Sequence, residues 1–161
     1  CGAMDELRVG DPWSFDVDIG PVIDDAALGD LRDYCERMTA AGRLVKRLDA
    51  PPRGRFVAPH VFRVSGIEEV GREVFGPVLH VATFEADALD EVVDAINARG
   101  YGLTFAVHTR IDDRVQRVVD RIRAGNVYVN RNQIGAVVGS QPFGGEGLSG
   151  TGPKASVPVS A

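Results

Sequence analysis

Between Pro77 and Asn130 the sequence switches back and forth between two hydrophobic periods, and this limits the fold more than any other feature. "VLHVATF" is a β-rich apolar run. Asp87 then opens a segment in which Leu89, Val92, Val93 and Ile96 recur at helical spacing, until Gly100 and Gly102 stop it. "LTFAVHT" reads as a second buried strand. "DDRVQRVVDRIRAG" reads as a second helix, with Val115, Val118, Val119 and Ile122 inward and Gly125 at its end. "NVYVN" is a third strand. Strand, helix, strand, helix, strand at this spacing predicts an α/β fold built on parallel βαβ units.

The first half is less regular. Met4 to Trp13 reads as a helix tail running into a Gly-Asp-Pro turn. "DDAALGDLRDYCERMTAAG" sets Leu28, Leu31, Cys35 and Met38 on one helical stripe, with Asp24 or Asp25 as its cap and Gly42 as its end. "RLVKRL" and "RFVAPHVFRV" read as strands separated by the loop Asp49 to Gly54. Pro59 weakens the second as a central strand, because it has no N–H for a ladder.

Composition excludes several classes. The 161 residues amount to about one domain. A hydrophobic fraction of 44% supports a core, and a net charge of −5 gives no basic footprint for nucleic acid. No run reaches the roughly 18 apolar residues of a membrane span. The start, "CGAMDELRVGDP", lacks the basic flank and apolar core of a signal peptide. Cys1 and Cys35 make no disulfide framework, which points to a reducing cytosol.

Few residues invite chemistry. Cys35 lies on an apolar stripe without an adjacent histidine and reads as a small core hydrophobe, not a nucleophile. His80 and His108 fall within expected strands, and with His60 they read as structural. The spacing of the three does not suit a metal. Glu73 and Phe75 stand two apart in "REVFGPVL". In an extended segment they point the same way, as a carboxylate and an aromatic ring that could hold a sugar hydroxyl and a flat ring. The alternative is that Phe75 is core and Glu73 is surface.

The glycine-rich run "GAVVGSQPFGGEGLSGTGPKA" leaves several readings open. It contains G-x-G-x-x-G at Gly145, Gly147 and Gly150, but no amphipathic helix follows, and Pro153 and Pro158 interrupt the chain beyond it. That argues against a dinucleotide fingerprint. A tightly turned backbone segment fits, and so does a loop presenting N–H groups to a small anion.

"REVFGPVLHVATF", "GLTFAVHT", "AGNVYVN" and "QPFGGEGLSGTG", in that order, resemble the C-terminal part of an aldehyde dehydrogenase. "GRFVAPHVF" is similar to the stretch before that family's Glu-x-Phe motif. The resemblance runs from Asp5 to Lys154. "VNRNQIGAVVGSQPFGGEGLSGTGPKA" is most similar to the branch that oxidises L-glutamate γ-semialdehyde with NAD in proline catabolism.

The resemblance implies roles. Glu73 matches the glutamate that holds the nicotinamide-side ribose hydroxyls, and Phe75 matches the aromatic residue beside the nicotinamide. Gly135 and Ala136 match the loop whose backbone N–H groups anchor the substrate's α-carboxylate. Phe143 matches a ring packed on the substrate's aliphatic stem. The family's nucleophilic cysteine, base glutamate, oxyanion-hole asparagine and dinucleotide-binding domain all lie upstream of what is present here. No catalytic residue is therefore expected in this chain, and no turnover from it alone.

Residues 1–155 are expected to be the C-terminal portion of the catalytic domain, and residues 156–161, "SVPVSA", a tail that the resemblance does not explain. FAD would belong only to an attached proline dehydrogenase domain, where one is present. The expected partners are the semialdehyde, the rest of the parent polypeptide and further copies of the same protein in a homo-oligomer, in the cytoplasm.

Overall fold

The computed structural model describes residues 1–134 and 141–150, and the chain divides into two units, Cys1–Thr83 and the part from Phe84 onward. In the first unit, helix α1 (Gly2–Asp5) is a single turn, earlier than the sequence suggested. Lys46 holds it by an ion pair to Asp5 and a 3.0 Å hydrogen bond to the Cys1 carbonyl. The Gly-Asp-Pro turn follows, with the Trp13 N–H donating to the Asp11 side chain at 3.0 Å.

Helix α2 (Asp25–Ala40) forms as its stripe requires. The Asp24 side chain accepts from the Ala27 N–H at 2.7 Å, satisfying a donor that the first turn leaves free. Leu31 and Cys35 are buried, and the chain turns away at Gly42. Burial pushes the Cys35 thiol pKa up, so the group is an inert hydrophobe as expected.

Strands β1 (Leu44–Arg47), β2 (His60–Arg63) and β3 (Val78–Val81) form one sheet in the order β1-β2-β3. β1 runs antiparallel to β2 and β3 runs parallel to it. β2 is central despite the proline signal. The reason is register: the strand begins one residue after Pro59, so no ladder N–H is lost. Its Phe62 is fully buried at 0% exposure.

His60 and His80 are structural, as read. His60 is buried, stacks on Phe62 at 5.4 Å between ring centroids, and donates from Nδ1 to the Ala58 carbonyl at 2.6 Å. His80 Nε2 meets the Tyr34 hydroxyl at 2.6 Å. Burial lowers the pKa of both imidazoles, with the Ala58 carbonyl pulling the other way at His60 and Glu69 at His80. The unfolded chain therefore takes up protons below the ordinary value of 6.5 that the folded chain refuses. Stability is complete above that value and falls as pH drops through it toward the folded values. The urea midpoint of the first unit is expected to decrease between about pH 7.5 and about pH 5.5, above most carboxylate titration. His60→Gln and His80→Gln should each flatten the slope. An unchanged midpoint across this window would contradict the assignment.

The second unit carries helix α3 (Leu89–Ala98), strands β4 (Tyr101–Gly102) and β5 (Thr104–Val107), helix α4 (Asp112–Val119), and strands β6 (Asn126–Val129) and β7 (Glu146–Gly147). β5, α4 and β6 are a βαβ unit, with β5 and β6 parallel from Thr104↔Asn126 to Val107↔Val129. The fold is α/β with parallel pairs, but the expected βαβ unit that would join β3 to β5 is not formed: among the described residues β3 pairs with β2. His108 falls just past β5 and is exposed, which corrects its placement inside the strand.

Val93 and Val118 are the buried residues of α3 and α4. Arg117 of α4 pairs with Asp90 of α3 at 2.6 Å, and Arg121, two residues past the end of α4, pairs with Asp94 of α3. α4 ends at Val119 instead of running on toward Gly125. The Asn97 side chain donates to the Arg121 carbonyl at 2.9 Å and accepts from the Arg123 N–H at 2.8 Å, occupying groups that further helix would need. Val119 is 37% exposed, because adjacent helical positions are 100° apart and Val118 takes the core side.

The described part of the glycine run is tightly packed backbone. β7 pairs antiparallel with β4, and Gly147 sits at φ 59°, a left-handed conformation that glycine adopts without strain. Buried Asn126 clasps the run by donating to the Gly144 carbonyl at 2.9 Å and the Leu103 carbonyl at 3.0 Å. Among the described residues, no helix is long and apolar enough to cross a membrane.

Candidate functional site

The segment carrying Glu73 and Phe75 lies between a 3-10 turn (Ile67–Glu69) and β3. Val74 is half-buried while Glu73 and Phe75 on either side of it are exposed. Arg72, Glu73, Val74 and Phe75 line one cleft of about 190 Å³ together with Ala27, Asp30, Leu31 and Tyr34 of α2. Phe75 is 85% exposed in this chain. The cleft thus offers a carboxylate acceptor beside a free aromatic face. That pairing suits a sugar hydroxyl and a flat heterocycle, each with its own kind of contact.

Phe143 belongs to the second unit and is half-buried, just before the Gly144 carbonyl that Asn126 holds. Gly135 and Ala136 lie outside the described residues. The chain leading toward them is fixed up to Asn130. That residue takes φ 54°, accepts from the Thr109 N–H and donates to the Thr109 carbonyl, both at 2.9 Å. The Arg131 guanidinium stands 4.8 Å over the Tyr128 ring, and the Tyr128 hydroxyl accepts from the Gln141 side chain at 2.8 Å.

Sequence reasoning did not connect α2 to this site. Its contributors, Asp30, Leu31 and Tyr34, fall on the face of α2 turned to the Glu73 segment. The available signal was that Tyr34 follows the striped Leu31 by three, one turn along the same side.

An aldehyde dehydrogenase family model matches residues 2–160. The bifunctional protein PutA of Klebsiella aerogenes is 49% identical over 98% of this chain, and a 1-pyrroline-5-carboxylate dehydrogenase of Bacillus licheniformis is 41% identical over 94% of it. A crystal structure of proline utilization A from Bradyrhizobium japonicum superposes with a TM-score of 0.90 at 51% identity, covering 96% of this chain. The chain belongs to the aldehyde dehydrogenase family. It spans only 13% of the Klebsiella protein, 30% of the Bacillus enzyme and 16% of the Bradyrhizobium chain.

Proposed function

We propose that this chain is the cofactor- and substrate-positioning part of an NAD-dependent L-glutamate γ-semialdehyde dehydrogenase, in a cytoplasmic proline-oxidising enzyme. The observation that carries this is the exposed Glu73 beside the exposed Phe75 in one cleft. Likeness to a bifunctional PutA and to a dedicated 1-pyrroline-5-carboxylate dehydrogenase supports the substrate.

Glu73 accepts hydrogen bonds from the ribose hydroxyls on the nicotinamide side, and Phe75 lies against the nicotinamide. NAD, when bound, supplies the hydride acceptor. Backbone N–H groups at Gly135 and Ala136 grip the α-carboxylate of the semialdehyde, and Phe143 packs on its aliphatic stem. These residues orient the reactants and leave bond making to residues elsewhere in the parent polypeptide. Orientation lowers the barrier by arresting motions that would otherwise have to be frozen at the moment of reaction.

Residues 1–155 act as one portion of the catalytic domain. The rest of the parent chain covers the apolar surface left open here. That surface includes Trp13 at 91% and Phe15 at 110% exposure, and an apolar cleft of about 640 Å³ lined by residues that include Met4, Leu7, Val45, Leu79 and Val81.

Steady-state kinetics of the full-length enzyme test this reading. Glu73→Gln and Phe75→Ala should each raise the KM for NAD about tenfold, by removing charge-assisted hydrogen bonds or ring contact. Ala136→Pro, which deletes one N–H, should raise the KM for the semialdehyde at least about tenfold more than that for propanal, which has no carboxylate. Equal effects on both aldehydes would favour a relative with a different aldehyde substrate. The chain alone should give no NADH above background.

A further inference from the structure

Residues 72–75 lie outside every strand, so no sheet ladder sets where Glu73 and Phe75 stand. What brackets them is α2. At one end Arg72 reaches Asp30 at 3.7 Å. In the middle, buried Leu31 sits so close to Gly76 that a Cβ built there would come within 2.6 Å of its methyl carbon. At the far end the Tyr34 hydroxyl meets His80 Nε2 of β3 at 2.6 Å, and the Tyr34 ring stands edge-on to His80 and to the buried Phe62. Positions 72, 76 and 80 are thus held by three residues within little more than one turn of a single helix.

We propose that Tyr34 and His80 are positioning residues: their hydrogen bond, with Leu31 seated on Gly76, fixes how Glu73 and Phe75 face the cleft and so sets affinity for a nicotinamide nucleotide. The inference rests on the reading of Glu73 and Phe75 given above. The exposed Arg72–Asp30 pair is solvated and contributes little. The Tyr34–His80 bond is part-buried and directional, and burial keeps the imidazole neutral, so that Nε2 can accept the hydroxyl proton. Losing it lets β3 and the segment before it shift against α2. Tyr34 lines the cleft and His80 does not; Tyr34→Phe keeps the ring, so what that variant shares with His80→Leu is the lost bond and its effect on the backbone of 74–77.

The test is kinetic, in the full-length enzyme. Tyr34→Phe and His80→Leu should each raise the KM for NAD about fivefold, the scale of one lost hydrogen bond. For His80→Leu, whose side chain does not line the cleft, the kcat at saturating NAD and the KM for the semialdehyde should stay at wild-type values. The double variant should be no worse than the poorer single one, because both remove the same bond. His80→Gln, whose amide oxygen can accept the Tyr34 proton, should restore the NAD KM to near wild type. The proposal is overturned if Tyr34→Phe leaves the NAD KM unchanged while Glu73→Gln raises it. It is also overturned if kcat and both KM values worsen together, as a general loss of packing would cause. If Glu73→Gln itself leaves the NAD KM unchanged, the reading of Glu73 and Phe75 falls first and this proposal with it.

Discussion

Gly125→Ala is expected to destabilise the second unit by about 3 kcal/mol or more, among the largest effects available to a single methyl group. A Cβ at Gly125 would overlap the Gly144 carbonyl oxygen and crowd Gly145 Cα at 3.2 Å. Backbone has no rotamer by which to yield. That carbonyl also accepts from Asn126, so moving it strains a buried amide that makes two bonds. The Gly125 N–H itself donates to the Gly102 carbonyl at 3.0 Å, which closes off the other direction of retreat. A lower urea midpoint and a poor soluble yield are the readouts. Gly29→Ala is the counterpart: Gly29 lies within α2, exposed, with nothing within 4 Å of its Cβ position. There alanine should stabilise by about 0.5–1 kcal/mol, because glycine is the weaker helix former. If both substitutions act alike, the close backbone contact is not what selects glycine at position 125.

Phe62→Ala is expected to cost about 3–5 kcal/mol, the range for emptying an aromatic site in a core. Phe62 is fully buried on the central strand of the first sheet. Its ring is stacked by His60 at 5.4 Å and approached by Tyr34 at 6.3 Å and His80 at 6.4 Å. The cavity would open beneath the Tyr34–His80 bond. The same variant should therefore raise the KM for NAD in whatever enzyme remains folded. Phe62→Leu keeps most of the volume and should cost about 1.5 kcal/mol or less. Denaturant titration of the two variants separates the cavity effect from loss of aromatic contact. A Phe62→Leu variant as unstable as Phe62→Ala would show that the ring contacts, not the volume, dominate.

Local chemistry was legible wherever it decided the outcome. The α2 stripe, its Asp24 cap, the burial of Cys35 and the two-period alternation after Pro77 all follow from rules acting over one or two turns. The Glu73–Phe75 pair was singled out from its two-residue spacing, and both residues line one cleft. The placement of Pro59 was not. It depended on where pairing with β1 and β3 begins, which is a property of the partners. The end of α4 was hidden too, because the side chain that competes for its last groups, Asn97, lies 24 residues upstream of its bonding partner Arg121.

By itself the sequence determined the kinds of elements, the faces they bury and the resemblance that names a family, since each rests on residues near one another in the chain. Only the tertiary structure decided which strands are neighbours, why Gly125 admits no side chain, and that α2 supports the Glu73 segment. Those outcomes depend on contacts between residues tens of positions apart. No local pattern encodes such contacts, because many arrangements bury the same stripes and packing chooses among them.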